Sequence, residues 1–205
     1  MTIDYSQARE LMVEQQVRPW DVLDFRVLDV LAKLPRENYL PDAYRALAYA
    51  DLEIPLGHGQ KMMKPVVEGR TLQALLLEPG EEVLEIGTGS GYLSACLGAL
   101  ARELVSLEIN PELASRARAQ LDASGHGSNI RIENVDALHY QTDRRFDAIC
   151  VTGAMEALPS HFLPWLRPQG RLFVVRGHSP VMEAVRVRAD GAVNAGPQRS
   201  QRAAH

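Results

Sequence analysis

Cysteine is nearly missing from this 205-residue chain, which has only Cys96 and Cys150. Cys96 falls in an apolar helical stretch and Cys150 in an apolar strand-like run, so two buried thiols are expected. No CxxC or HxxxH spacing is present, which leaves no signal for a metal centre, and none is expected. Basic excess is missing too: 22 Lys and Arg stand against 26 Asp and Glu, a net charge of −4. That balance provides no broad electrostatic footprint for nucleic acid or an anionic membrane, and neither is expected as a partner. Long hydrophobic runs are lacking, so no segment reads as a bilayer span. The opening MTIDYSQARE has no apolar h-region, and a cytoplasmic protein is the expectation. Repeats and low-complexity blocks are absent. What remains is an ordinary apolar fraction of 46%, enough for a core, in a length that fits one domain or one domain with an appendage.

The N-terminal part reads as helical. DYSQARELMVEQQV has Asp4 and Ser6 as cap candidates and Pro19 as its stop. DVLDFRVLDVLAKL places Leu23, Val27, Leu31 and Leu34 on an apolar stripe that needs a partner surface, and Pro35 ends it. A long segment rich in Pro and Gly follows, through Pro41, Pro55, Gly57 and Gly59. Long loops of this kind are often lids or binding loops. Pro65 is placed to open the next helix as its first residue.

From Glu82 the pattern changes. EVLEIG, LVSLEI, IRIENVD, FDAICVTG and RLFVVRG read as strands. YLSACLGALA and PELASRARAQLDASG read as helices, the second stopping at Gly125, and LPSHFLPWLRPQG reads as a short helix interrupted by Pro164 and Pro168. EAVRVRAD alternates as a half-exposed strand does. Strands separated by helices call for an α/β fold with a doubly wound, mostly parallel sheet, here with an N-terminal helical extension. The expected division is a helical segment over residues 1–80, an α/β core over 81–190 and a loose tail over 191–205.

The stretch VLEIGTGSGY identifies the ligand. A dinucleotide fingerprint reads G-x-G-x-x-G, whereas here the glycines are Gly87, Gly89 and Gly91, and Tyr92 occupies the slot of the third glycine. A large ring there argues against a pyrophosphate cofactor. The alternative ligand of a strand–loop–helix unit is S-adenosylmethionine, which has no phosphate. Its amino-acid end fits against bare backbone at Gly87 and Gly89, flanked by Thr88, while Glu85 at the strand end faces the ligand's positive charge; Gly91 and Tyr92, which complete the loop, are expected to contact the cofactor as well. Glu108 ends the next strand and is placed to accept both ribose hydroxyls, with Ile109 against the adenine. Asp136, followed by Ala137, ends the third strand at the position of the adenine amino group. Three acids at three successive strand tips suit a cationic, ribose-bearing ligand and would repel a phosphate.

At these residues the chain resembles the protein-L-isoaspartate O-methyltransferases, from about Leu11 to about Asp190. The pieces are PRENYLP, AYADLEIPLGHGQ with the downstream Pro65, VLEIGTGSGY, LVSLEIN, FDAICVTGAMEALP and LRPQGRLFVVRG. PLGHGQ at that distance before the glycine loop is the most family-specific of them. The resemblance implies an S-adenosylmethionine-dependent, Rossmann-like methyltransferase that esterifies the free carboxylate of isoaspartyl residues in damaged proteins, the first step of their repair. It further implies that the segment 50–65 forms the acceptor side, with His58, Gly59 and Gln60 near the methyl group and Thr152, Gly153 and Ala154 lining the acceptor pocket.

Two departures accompany the likeness. The family pattern T-I-S-x-P is here KMMKP, so Lys61 replaces a threonine and Met63 the family serine. A thioether donates no hydrogen bond, and a lost bond to a charged group is worth about 1.5–3 kcal/mol. Lys61 or Lys64 is either a substitute cation or simply solvated. The family's last strand inserts between two others, but GAVNAGPQRSQRAAH is a poor strand. RLFVVRG would then keep an open edge, inviting dimerisation, or pair directly with EAVRVRAD; a monomer is the expectation. Three readings follow: isoaspartyl methyl transfer, methyl transfer to another carboxylate or small acceptor, and a non-catalytic S-adenosylmethionine-binding protein.

Overall fold

The structure, a computed structural model, describes residues 3–155, 160–178, 181–189 and 193–195. Helix α1 (Tyr5–Leu11) is capped by Asp4, whose carboxylate accepts from the Gln7 N–H. The helix then widens into a π-turn over Met12–Val17 and tightens into a 3₁₀ turn over Arg18–Trp20, which carries Pro19. Helix α2 (Phe25–Lys33) starts later than the apolar stripe suggests, because Asp24 is its N-cap and accepts from the Arg26 N–H. Val27, Leu31 and Leu34 are buried as expected. Leu23 is not. It precedes the helix, its N–H is held by Gln73 Oε1 at 2.6 Å, and its side chain is 69% exposed.

Residues 35–64 are short pieces: 3₁₀ turns over Arg36–Tyr39 and Asp42–Leu47, then a hairpin of β1 (Ile54–Gly57) and β2 (Gln60–Met62). Pro65 is indeed the first residue of α3 (Pro65–Leu75). The main elements then follow: β3 (Glu82–Ile86), α4 (Tyr92–Leu100), β4 (Glu103–Glu108), α5 (Pro111–Ser124), β5 (Ile130–Asn134), β6 (Phe146–Met155), a 3₁₀ helix (Ser160–Trp165), β7 (Leu166–His178), β8 (Val181–Arg188) and β9 (Val193–Ala195). Asn110 caps α5 through two backbone N–H groups, and Gly125 ends it in the left-handed conformation.

The seven-stranded sheet has the order β5-β4-β3-β6-β7-β8-β9. The first five of these strands are parallel, and β8 and β9 are antiparallel. Along β3, Val83 packs into the core formed with the N-terminal helices and α3 to α5, whereas Leu84 packs with Phe146, Phe162 and Leu166 on the other face. Regular helices therefore gather on one face, and the 3₁₀ helix with the segment 135–140 covers the other. At the amino ends of the strands Glu82 collects Arg102, Arg144 and Arg167, and Arg167 also meets Asp147. This charge network ties the sheet together at the end remote from the cavity.

In the C-terminal part the second of the two expected arrangements, direct pairing of RLFVVRG with EAVRVRAD, is found, while the expectation of a wholly loose tail fails. RLFVVRG keeps no open edge, because β8 pairs with β7 from Arg171↔Arg188 to His178↔Val181 with nothing between them. Of the tail expected to be loose, residues 193–195 pair with β8 as an edge strand. Alternation did not reveal so short a strand, because three residues with a hydrogen-bonding partner need no apolar face. The rest of that tail and residues 156–159 of the family-like stretch lie outside the described residues.

Candidate active site

The chain leaves β3 in one direction for β4 and β5 and returns on the other side of β3 for β6, so the strand order reverses between β3 and β6. Ligands of open α/β sheets bind at such a reversal, outside the carboxyl ends of the strands. A cavity of about 340 Å³ opens there. That is the size of a small-molecule site.

Its floor is the glycine loop. Gly87, Gly89 and Gly91 have φ of 99°, 55° and 83°, in the left-handed region that disfavours side chains. A Cβ at Gly87 would come within 2.3 Å of Oγ1 of Thr152 on β6, which itself donates to the Ile86 and Gly87 carbonyls at the end of β3. Bare backbone is therefore obligatory at Gly87. Gly91 serves packing instead, since a Cβ there would meet Ala117 of α5 at 3.1 Å. It provides the close helix contact that a third fingerprint glycine provides elsewhere, one residue earlier. Tyr92 is thereby released into the core, where it is fully buried and packs edge-on against Tyr39. Neither Gly91 nor Tyr92 lines the cavity.

The three acids occupy three different environments. Glu108 lines the cavity, with Oε2 accepting from the Gly89 N–H and Oε1 from the Asn110 N–H, both at 2.9 Å. Each carboxylate oxygen retains a lone pair for a hydroxyl. Asp136 also lines it, its Oδ1 holding the Leu138 N–H and its Oδ2 lying 3.0 Å from His139 Nδ1. Ile109, 66% exposed, and Ala137 flank them. Glu85 is beneath the loop and outside the lining. The parallel register sets Ser106 beside it, and both Ser94 and Ser106 donate to its Oε2, at 2.5 and 2.6 Å. Ser106 in turn is 2.6 Å from Thr88 Oγ1, a cavity residue. Burial raises the Glu85 carboxyl to about 7 against the two serine bonds, and nearby Glu108 pushes in the same direction as burial. Its Oε1 has no hydrogen-bond partner among the described residues.

The opposite wall is the β1–β2 hairpin. Gly57, His58 and Gly59 form its tip with three successive positive φ values, 90°, 53° and 71°. Leu56, Gln60 and Met63 line the cavity. His58 does not: its Nε2 faces Glu112 Oε2 at 3.0 Å on the outer side. Lys61 reaches the lining too, but its exposed ammonium pairs with Glu53 at 3.1 Å. Thr152, Gly153 and Phe162 continue this wall from β6 and the 3₁₀ helix. Among the described residues no group of His, Cys, Asp and Glu forms a metal site, and no helix is long and apolar enough to cross a membrane.

One constellation escapes sequence reasoning. Arg36 and Glu68 form a fully buried ion pair, with Arg36 Nη1 donating to both Glu68 oxygens at 2.7 and 2.6 Å. Arg36 Nε donates to the Ala48 carbonyl, Nη2 donates to the Met63 carbonyl at 2.6 Å, and the guanidinium lies 5.2 Å from the Tyr92 ring centre. Burial raises Glu68 to about 7 while Arg36 pulls it down, and the residue borders the cavity. Removing one partner of such a pair costs about 3–5 kcal/mol, because the other is left buried and uncompensated. A signal does exist: Glu68 shares the buried face of α3 with Leu72 and Leu75, and a carboxylate on an apolar face requires a cation.

Reversed strand order, a glycine loop with forced bare backbone, and acids at the tips of β4 and β5 define the class: a Rossmann-like methyltransferase fold. The sequence matches the family described as "Protein-L-isoaspartate(D-aspartate) O-methyltransferase (PCMT)" over residues 7–201, and the chain belongs to that family. A protein-L-isoaspartate O-methyltransferase of Gloeobacter violaceus is 40% identical over 167 residues, 81% of either chain. One from Marinobacter nauticus is 38% identical over 175 residues, covering 85% of this chain and 80% of the relative. In three dimensions the chain resembles a Plasmodium falciparum chain assigned to the same activity and solved in complex with S-adenosyl-L-homocysteine. That match has a TM-score of 0.79 and 17% identity, over 95% of this chain and 94% of that one, and it speaks for the fold.

Proposed function

We propose that the protein transfers the methyl group of S-adenosylmethionine to the free carboxylate of isoaspartyl residues in damaged proteins. The observation that carries this reading is the conjunction, in one cavity, of obligatory bare backbone at Gly87 with carboxylates at Glu108 and Asp136. A cationic nucleoside without phosphate satisfies both features, whereas a nucleotide diphosphate would meet repulsion. In this reading Gly87 and Gly89 hold the amino-acid end of the cofactor and Glu108 the ribose. Ile109, Asp136 and Ala137 hold the base, and Glu85 acts from beneath through its unpartnered oxygen and Thr88. The bound cofactor supplies a methyl group made electrophilic by the sulfonium.

The chain itself contributes positioning and exclusion of water. An acceptor carboxylate, with a pKa of about 4, is already ionised at neutral pH, so no base has to remove a proton. That suits a site in which His58 is paired with Glu112 outside the cavity. Gln60, Met63 and Thr152 border the space on the hairpin side, where the acceptor enters. Leu56 and Phe162 make that side apolar, and low polarity favours a step in which opposite charges are neutralised. The reading places the enzyme in the cytoplasm as a monomer.

The test is incubation with methyl-labelled S-adenosylmethionine and an isoaspartyl peptide beside its aspartyl twin. Label on the isoaspartyl form alone is the expected result. Met63 in the acceptor wall supports a second reading, transfer to a different carboxylate, and label on the aspartyl twin or on a small acid instead would favour it. Tight cofactor binding with no transfer to any acceptor would reduce the protein to a binder.

A further inference from the structure

We propose that Arg36 and Glu68 are positioning residues for the acceptor: together they clamp the wall through which the isoaspartyl substrate enters. The proposal rests on residues 50–65 being the acceptor side. Arg36 comes from the PRENY turn and uses one guanidinium to reach three separate stretches of chain. Nε fixes the carbonyl of Ala48, where the chain turns toward the hairpin, and Nη2 fixes the carbonyl of Met63, where the chain leaves it. Nη1 is anchored by both oxygens of Glu68 on α3. The entry and exit of the hairpin are thus tied to one planar group, and the Tyr92 ring supports that group from the glycine-loop helix α4.

The hairpin's inward side chains Ile54, Leu56 and Met62 are buried in the core, but among the described residues its backbone has few anchors beyond Arg36. β1 and β2 form a two-stranded sheet of their own, separate from the main sheet, with pairing confined to Ile54↔Met62, Pro55↔Lys61 and Gly57↔Gln60. Two-stranded ribbons are marginal alone. From the neighbouring helix α5, Arg116 donates to the Leu56 carbonyl, and His58 meets Glu112 near the surface. Met63 stands at the family's serine position, where no side-chain hydroxyl is available to orient the acceptor. The direction of residue 63 into the cavity is set instead through its backbone, by Arg36. Lysine cannot replace this arrangement, because a point charge with one nitrogen does not span a carboxylate and two carbonyls.

The experiment compares the full chain with Arg36→Lys by three readouts: steady-state methylation of an isoaspartyl peptide, calorimetric affinity for S-adenosylhomocysteine, and hydrogen exchange. The expected result is a rise in peptide KM of at least tenfold with kcat within threefold. Cofactor-product affinity stays within threefold, and amides of residues 54–63 exchange at least tenfold faster while those of β3 and β4 do not change. Unchanged KM, a loss of cofactor-product affinity equal to the KM change, or unchanged exchange in 54–63 would overturn the clamp. A wild-type protein that methylates no isoaspartyl peptide would sink the proposed function instead, and the exchange readout would then decide the clamp alone. Should Arg36→Lys fail to fold, Glu68→Gln takes its place. It keeps the volume and one acceptor oxygen, and faster exchange of about threefold confined to 54–63 is expected; none would refute the proposal.

Discussion

The proposed cofactor wall and the proposed acceptor wall border one cavity of about 340 Å³, yet they are built by different means. The cofactor wall consists of strand ends and a loop whose every contact is local or set by sheet register. Gly87 follows β3, Glu108 ends β4 and takes its bond from the adjacent loop at Gly89, and Ser106 meets Glu85 because parallel pairing aligns them. The proposed acceptor wall is a hairpin outside the main sheet, packed on the core through Ile54, Leu56 and Met62 and tied by side chains that arrive from distant stretches: Arg36 from a 3₁₀ turn and Arg116 from α5. Rigidity on one side is a property of the sheet, and on the other it rests on apolar packing and a few individual bonds. Substitutions on the two sides should therefore fail differently, in ligand affinity on the first and in acceptor KM on the second.

The severest challenge to the cofactor wall is Gly87→Val. A β-branched residue at φ 99° with Thr152 Oγ1 2.3 Å from the new Cβ forces the loop to move. S-adenosylhomocysteine affinity should drop at least a thousandfold by calorimetry, while circular dichroism shows the sheet retained. Normal affinity would mean the backbone at Gly87 does not face the ligand.

Glu85 tests the strand-tip side through pH. Its carboxyl moves from an unfolded value of 4.5 to about 7 in the fold because burial disfavours the charged form. The folded state therefore binds the proton more tightly. The stabilisation is full below pH 4.5 and is lost as pH rises toward and through 7, amounting to at most about 3 kcal/mol at 1.36 kcal/mol per unit. Glu85→Gln should leave thermal stability at pH 5 nearly unchanged and raise it at pH 8. An identical shift at both pH values would show that the carboxyl does not titrate in this range.

How much of this is legible in the sequence follows the same division. The glycine loop and the acids at the strand tips can be read because each depends on residues next to one another or at the end of a strand. Its place next to the glycine loop makes Tyr92 look like a cofactor contact, but Gly91 takes the packing role against α5, and the ring is buried in the core, outside the cavity lining. Leu23 fits the apolar period but not the cap at Asp24. Arg36 and Glu68 are 32 residues apart, and no spacing rule connects a turn to a helix at that range. β9 depends on a partner strand and not on any pattern of its own.

Glu108→Ala should weaken S-adenosylhomocysteine binding at least tenfold. It deletes the proposed ribose acceptor and also leaves the Gly89 and Asn110 N–H groups without their partner. Glu108→Gln keeps an acceptor for one of these and should lose less. Equal affinity in both variants and wild type would show the nucleoside to be placed wrongly.

The smallest effect is expected at Met63→Ser, and it bears most directly on the comparison. Met63 is partly buried against the core near the cavity, so shortening it removes some apolar contact, on the order of 1 kcal/mol. Its backbone carbonyl is held by Arg36 whatever the side chain, so the path of the wall is preserved. In the proposed reading the new hydroxyl restores a donor beside the acceptor. Transfer to an isoaspartyl peptide should be equal to wild type or higher, with a melting point only slightly reduced. A large loss of activity in a folded Met63→Ser protein would mean that the thioether itself shapes the acceptor, and that this wall is specified by side-chain volume more than by the anchored backbone.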